Sequence, residues 1–182
     1  MPIIIPGANV AELKESAVYA ATCDELGITI SDDLVQAVIG TTTEELVPRP
    51  TEDGELRREA VAMSPTCRLA ANELVKSVID QLLPDQKYYL ARNRWSLFNI
   101  NYYEQGDRNP MHIDFAEPQS DTMVVILSLS GVRRLEVRDH PPIQLKPKML
   151  AFLDGGKNPR HAAECIDGPS ISVVADVPNL WH

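Results

Sequence analysis

The 182-residue chain has no apolar run approaching the ~20 residues that span a bilayer. Its opening, Met1-Pro2-Ile3-Ile4-Ile5-Pro6, lacks the basic start and the longer apolar stretch of a secretory signal. The three cysteines, Cys23, Cys67 and Cys165, are odd in number and far apart, which excludes a disulfide framework and a zinc-knuckle spacing. These absences together lead to the expectation of a cytoplasmic protein with no membrane partner. Basic residues are also in deficit: 17 Lys and Arg against 26 Asp and Glu leave a formal net charge of -9. Such a surface repels a phosphate backbone, so nucleic acid is not the expected partner. No internal repeat and no low-complexity tract is present. One domain is expected over residues 1–182, long enough to bury a substantial core.

Along the chain, residues 1–9 read as an extended lead-in. Val10, Leu13, Ala17, Ala20 and Ala21 have helical spacing, with Asn9 as N-cap and Gly27 as the stop. A second helix is predicted after Ser31, presenting Leu34, Val35, Val38 and Ile39 on one face. Residues 40–58, with Thr41-Thr42-Thr43, Pro48, Pro50 and Gly54, are expected to form a long loop. The strongest helical pattern covers 66–83, where Ala70, Leu74, Val78 and Leu82 repeat every four residues before Pro84. Beyond Pro84 short β-branched and aromatic runs take over, at 86–91, 95–103, 111–115, 122–129, 132–138, 142–146, 149–153, 161–165 and 170–177. The turns between them are expected at Asp107-Arg108-Asn109-Pro110, Ser130-Gly131, His140-Pro141-Pro142 and Asp154-Gly155-Gly156. The fold class is therefore mostly β with N-terminal helices: residues 85–182 form a double-stranded β-helix, or jelly roll, and residues 1–84 a helical buttress and loop.

The chemistry gathers around His112-Ile113-Asp114. On a strand, the period of two puts His112 and Asp114 on one face. In a jelly roll, strands distant in sequence become neighbours, so His161, well downstream, can complete the set. Two imidazoles and one carboxylate on one face of an octahedral ion leave the opposite positions open, the facial triad of non-haem Fe(II) oxygenases. The bland alternative leaves His112 and His161 as turn residues beside prolines. His140 reads as an exposed turn histidine and His182 as a solvated terminal one. Cys165 shares strand parity with His161 and Ala163 and is expected as a small buried hydrophobe. Trp95, Phe98, Phe115 and Phe152 are expected in the core, Trp95 with the parity to line a pocket.

The spacing Asn101-x-Tyr103-x-x-Gly106-x-x-x-x-x-His112-x-Asp114 resembles the strand-turn-strand signature of the Fe(II)/2-oxoglutarate oxygenases, especially their alkylation-repair (AlkB) branch. The segments Leu127–Val137 and Leu145–Phe152 are similar to the parts of the pattern that precede the last ligand, and the likeness covers about residues 95–177. The resemblance implies that His112, Asp114 and His161 hold Fe(II), that Asn101 and Tyr103 contact 2-oxoglutarate, and that the remaining partners are O2 and a small-molecule or carrier-bound substrate. Retention of Asp114, where a halide site needs Gly or Ala, implies hydroxylation, desaturation or cyclisation rather than halogenation.

The sequence departs from that pattern at one place. The basic residue that clamps the distal carboxylate of 2-oxoglutarate is replaced by Ser170, no Arg or Lys follows His161, and the late arginine of the repair branch is replaced by Asp176. Arg133 is the candidate substitute. It shares parity with Leu135 and Val137, whereas Arg134 goes with Glu136 and Arg138, a solvated set. A strand-end Arg133 that reaches back to water is the competing possibility. Arg160 has parity opposite to that of His161. Two other classes stay open, an iron oxygenase of the same fold that takes no 2-oxoglutarate and a non-catalytic jelly-roll binding module.

Overall fold

Residues 96–178 carry β-branched and apolar side chains on alternate positions with few helix-favouring stretches, and they fold almost entirely into strands. The computed structural model describes residues 16–44, 47–50, 56–59, 65–82 and 96–178. In chain order the elements are β1 (Val18–Thr22), α1 (Asp32–Glu44), β2 (Val47–Pro50), β3 (Leu56–Glu59), α2 (Pro65–Leu82), β4 (Ser96–Tyr103), β5 (Arg108–His112), β6 (Thr122–Val137), β7 (Ile143–Leu145), β8 (Met149–Asp154) and β9 (His161–Pro178). Hydrogen-bonded neighbours follow the order β1-β8-β6-β9-β4-β3-β2, with β5 also on β9 and β7 on β6. Every pair is antiparallel.

The two long strands make the architecture. β6 and β9 pair from Thr122↔Pro178 to Val137↔His161, with register shifts between Ser128 and Arg133. Irregularities of this kind bend a pair of strands. One half of the pair therefore joins β4, β8 and β1, and the other half joins β5 and β7. The result is a double-stranded β-helix, with the space between the two halves as its lumen. Gly131 sits at the bend with φ 63°, and a Cβ there would lie 2.6 Å from the carbonyl oxygens of Asp167 and Pro169. Only glycine fits so close an approach.

Alternation along the strands separates two apolar layers. Val125, Leu127, Phe152, Ile171, Val173 and Ala175 pack on the outer face with Val38 of α1 and with Leu74, Val78 and Ile79 of α2. Burying each of those large side chains is worth roughly 1.5–3 kcal/mol, so the helices are held by their apolar stripe. On the inner face Val124, Ile126, Leu135, Val137 and Val174 line the lumen.

The first half of the chain departs from its expected form in three ways. Residues 18–22 are an edge strand rather than part of a helix, paired with β8 from Val18↔Leu153 to Thr22↔Met149. Their apolar residues serve both faces: Val18 and Ala20 meet the lumen cluster, Tyr19 and Ala21 the helix-facing one. Where it is described, the expected loop over 40–58 is helix and strand. α1 runs on through Glu44, where the hydroxyls of Thr41 and Thr42 donate to the carbonyls of Ala37 and Val38, and β2 and β3 form an edge pair that tolerates Pro48 and Pro50. The helix over 66–83 is α2, and the one after Ser31 is α1.

In the second half the turn before His112 falls earlier than expected, at Glu104–Asp107, where Gly106 has φ 89° and the Asp107 N–H donates to the Glu104 carbonyl at 3.0 Å. Arg108, Asn109 and Pro110 belong to β5. Ser130-Gly131 is the bend within β6 and not a turn, so the strands expected at 122–129 and 132–138 are one, as are those at 161–165 and 170–177. The strand expected at 86–91, the lead-in over 1–9, Trp95 and His182 lie outside the described residues, as does the side chain of Phe98.

Candidate functional site

Antiparallel pairing of β5 with β9 sets His112 directly opposite His161, with ring centroids 4.3 Å apart. Asp114 follows two residues past the end of β5. Its Oδ1 lies 3.7 Å from His112 Nε2 and its Oδ2 3.6 Å from His161 Nε2. One ligand atom from each of the three residues falls within 4.8 Å of the others. His161 is buried and the other two are half-buried, so the cluster opens toward solvent on one side.

The imidazoles are oriented by backbone. His112 Nδ1 is 2.8 Å from the Pro110 carbonyl and His161 Nδ1 is 3.0 Å from the Pro159 carbonyl. A carbonyl oxygen only accepts, so each Nδ1 carries a proton, and in the neutral imidazole the lone pair is on Nε2, the nitrogen on the Asp114 side. Such an outer hydrogen bond is how a metal-binding histidine is held. Asn109, buried on β5, places Nδ2 3.3 Å from His112 Nε2 and donates to that lone pair. Asn158, at φ 43°, donates to the Phe115 carbonyl at 2.7 Å and accepts from the Phe115 N–H at 3.4 Å. The segment that carries Asp114 is thereby tied to the turn that precedes His161. Two imidazole lone pairs and one carboxylate suit Fe(II) and its first-row neighbours.

Deeper in the lumen lies a polar strip. Asn101 pairs with Ser172 and Tyr103 with Ser170, so these side chains share the inner face. Arg133 enters the same space and is only 3% exposed. Its Nη1 donates to Ser172 Oγ at 2.7 Å and its Nη2 to the Ser170 carbonyl at 3.2 Å. The guanidinium also lies 4.1 Å from the centroid of the Tyr103 ring, a cation–π contact. The Tyr103 hydroxyl, Asn101 Oδ1, Ser128 Oγ and Ser170 Oγ are buried without a hydrogen-bond partner among the described residues.

The other candidates fall elsewhere. Arg134 is on the outer face, where it pairs with Glu136 at 3.1 Å and with Glu164, and Arg160 is exposed. His140 stands in the turn after β6, outside the cluster. Cys165 is buried beside Arg133 in the register, and burial pushes its thiol up. Phe115 packs against the lumen cluster, whereas Phe152 faces the helices with Tyr19. Asn109 and Asn158 carry no sequence signal of a role at the site. The expected turn absorbed Asn109, and Asn158 has no pattern that distinguishes it from any loop asparagine.

No family model matches the sequence, and no curated protein matches it. Solved structures do. A prolyl hydroxylase from Trichoplax adhaerens, in complex with a hypoxia inducible factor peptide fragment, superposes with a TM-score of 0.58 at 11% identity, over 93% of this chain and 86% of that one. An oxidoreductase of the 2OG-Fe(II) oxygenase family from Burkholderia pseudomallei gives 0.58 at 13% identity, over 94% and 89%. The non-heme alpha ketoglutarate dependent epimerase SnoN from nogalamycin biosynthesis gives 0.59 at 15% identity, over 92% and 79%. The fold is that of the 2-oxoglutarate/Fe(II) oxygenases. In this fold, His112, Asp114 and His161 form a group that could hold iron. Of these similar structures one is a hydroxylase and another an epimerase, and at 11–15% identity the likeness is one of fold. Among the described residues no helix is long and apolar enough to cross a membrane.

Proposed function

We propose that the protein is a non-haem Fe(II)-dependent oxygenase that uses 2-oxoglutarate and O2 to hydroxylate a C–H bond of a small-molecule or carrier-bound metabolite. The observation that carries this reading is the convergence of two backbone-oriented Nε2 lone pairs and the Asp114 carboxylate at one open-sided point. Bound there with 2-oxoglutarate, Fe(II) supplies the activation of O2 that oxidation of an unactivated C–H bond requires.

The chain's own residues orient and confine that chemistry. His112 and His161 keep their Nδ1 protons on backbone carbonyls, so neither exchanges a proton when Nε2 is engaged. Asp114 fills the third protein position, which leaves none for a halide ligand. Arg133 takes the part of the basic residue that Ser170 replaces. Its guanidinium already lies against the Ser170 carbonyl and reaches from the neighbouring strand to the place where the 170 side chain begins. A carboxylate set there receives charge-assisted hydrogen bonds from the guanidinium, with the Tyr103 hydroxyl, buried without a partner among the described residues, and the Nδ2 group of Asn101 as further donors. The apolar lumen around Ile126, Leu135 and Val174 excludes water from the far side. The surface charge of -9 supports a metabolite over a nucleic acid as substrate.

Metal analysis and cosubstrate turnover test the reading. The expected result is one Mn(II) or Fe(II) per chain and succinate formed from 2-oxoglutarate in the presence of O2. A protein that binds no Fe, Mn, Co or Ni would be a binding module of the same fold. One that binds iron and never consumes 2-oxoglutarate would be an oxygenase of the cosubstrate-independent kind, the alternative that Ser170 keeps open.

A further inference from the structure

A second carboxylate faces the lumen. Asp176 lies near the end of β9 between Ala175 and Val177, both of which are buried in the helix-facing core. Alternation along the strand therefore turns Asp176 inward, with Val174 and Ser172. In register it stands beside Val124 of β6 and position 96 of β4, and Val124 and Val174 both belong to the apolar cluster of the lumen. Asp176 is half-buried, and among the described residues it has neither a hydrogen bond nor an ion pair. Burial first, and the nearby Asp114 charge second, push its carboxyl up to about 6. The Arg133 guanidinium is held at Ser172 and Ser170, four and six residues back along the strand, positions roughly 13 Å and 20 Å from Asp176 along the backbone at the rise of a β-strand.

A half-buried carboxylate in apolar surroundings that also feels a like charge is unfavourable unless something neutralises it. We infer that Asp176 receives a cationic group of the substrate, an ammonium or guanidinium set close to the carbon that reacts. The inference rests on the oxygenase reading and adds the substrate class to it. With Fe(II) and 2-oxoglutarate in place, the two charges of the metal and the one of Arg133 are matched by Asp114 and the two carboxylates of the cosubstrate. Among the described residues Asp176 is the remaining negative charge of the lumen, and the substrate is the component that balances it. An anionic substrate would approach two carboxylates at once, and a neutral one would leave Asp176 without a partner.

Two probes of one shape and different charge, n-butylammonium and 1-butanol, distinguish these cases. Each is titrated at pH 7.5 into protein loaded with Mn(II) and 2-oxoglutarate, and the relaxation of its methylene protons by the metal is read by NMR. The expected result is at least tenfold tighter binding of the ammonium next to Mn(II), a preference lost in Asp176→Asn and kept in Asp176→Glu, with one Mn(II) still bound per chain in both variants. Equal binding of the two probes to the unaltered protein, or a preference that survives in Asp176→Asn, would overturn the inference and leave the oxygenase reading standing. Absence of Mn(II) binding would instead bring down the oxygenase reading and the inference with it.

Discussion

His112 and His161 face each other across adjacent strands, and each gives its Nδ1 proton to the carbonyl of a proline two residues before it, Pro110 and Pro159. Proline has no N–H, so the chain at these positions contributes an acceptor and no competing donor. The two rings are thereby fixed in one tautomer before any ion arrives. In the metal-free protein, 15N-resolved NMR should find both Nδ1 atoms protonated and both Nε2 atoms bare, and Zn(II) or Co(II) should shift the Nε2 signals. A protonated Nε2 on His112 in the neutral imidazole would contradict this orientation.

Replacing His112, Asp114 or His161 by Ala should weaken Mn(II) binding by more than the roughly 10–100-fold seen on loss of an outer partner, with the circular dichroism spectrum unchanged. His140→Ala should leave Mn(II) binding as it was. The opposite pattern, with His140 needed and His161 dispensable, would refute the ligand set.

Asn109 donates to the very lone pair that a metal must take. Its amide has to let go when an ion binds, and the net worth of such a bond is about 1 kcal/mol. Asn109→Ala should therefore tighten Mn(II) binding about fivefold in a calorimetric titration, provided His112 keeps its bond to Pro110. Weaker binding would show instead that Asn109 holds the ring in place.

Arg133→Ala should raise the apparent KM for 2-oxoglutarate by about 10–100-fold, the equivalent of the ~1.5–3 kcal/mol expected for hydrogen bonds to a charged group, with metal affinity little changed. Arg133→Lys should recover only part of it, because an ammonium cannot reach Ser172, the Ser170 carbonyl and the Tyr103 face together. An unchanged KM would remove Arg133 from the cosubstrate site.

Two glycines with positive φ should behave differently. At Gly131 a methyl group meets two carbonyl oxygens at 2.6 Å, whereas at Gly106 it meets nothing within 4 Å. Gly131→Ala combines backbone strain with overpacking, about 2–4 kcal/mol, which lowers Tm by roughly 5–15 °C in a domain of this size. Gly106→Ala carries the strain alone, about 1 kcal/mol. Thermal melts that gave the two variants the same loss would show that β6 does not need its close approach to β9 at the bend.

The raised carboxyl of Asp176 makes the stability of the metal-free protein depend on pH. The folded chain holds this proton up to about pH 6, whereas an ordinary Asp releases it near 3.8. Ionised Asp176 thus weakens the fold above pH 6, and the penalty is relieved as pH falls through the window between those values. Asp176→Asn should be more stable than the unaltered protein at pH 7.5, by on the order of 1 kcal/mol after allowing for solvent screening of a half-exposed group. The advantage should vanish by about pH 4. Chemical denaturation at both pH values reads the difference, and equal advantages at the two would disprove the cause.

Alternation and turn residues made the jelly roll legible, and parity alone put Arg133 inside and Arg134 outside. Residues 18–22 match a helical pattern in the sequence because Ala20 and Ala21 satisfy a helical stripe and a two-sided edge strand equally well; only the partner strand β8 decides between them. The turn expected at 107–110 rests on Asn-Pro, a strong turn signal locally, whereas pairing with Glu164 and Ala163 on β9 holds Arg108 and Asn109 extended. The proline carbonyls that orient the two imidazoles carry no sequence pattern, since any residue supplies a carbonyl. Asp176 was visible as a missing arginine. Its lack of a partner among the described residues depends on what the other strands place around it, which no local spacing records.

The strict alternation at the end of β9 has an evolutionary reading. Ile171, Val173, Ala175 and Val177 belong to the helix-facing layer, and Ser170, Ser172, Val174 and Asp176 to the lumen. One strand thus carries two independent texts, one for holding the molecule together and one for what it recognises. Changes at the even-numbered positions rewrite the second without editing the first. At position 176, which is half-buried and outside both apolar clusters, an acidic, basic or neutral side chain changes the charge of the lumen and leaves the helix-facing layer as it is.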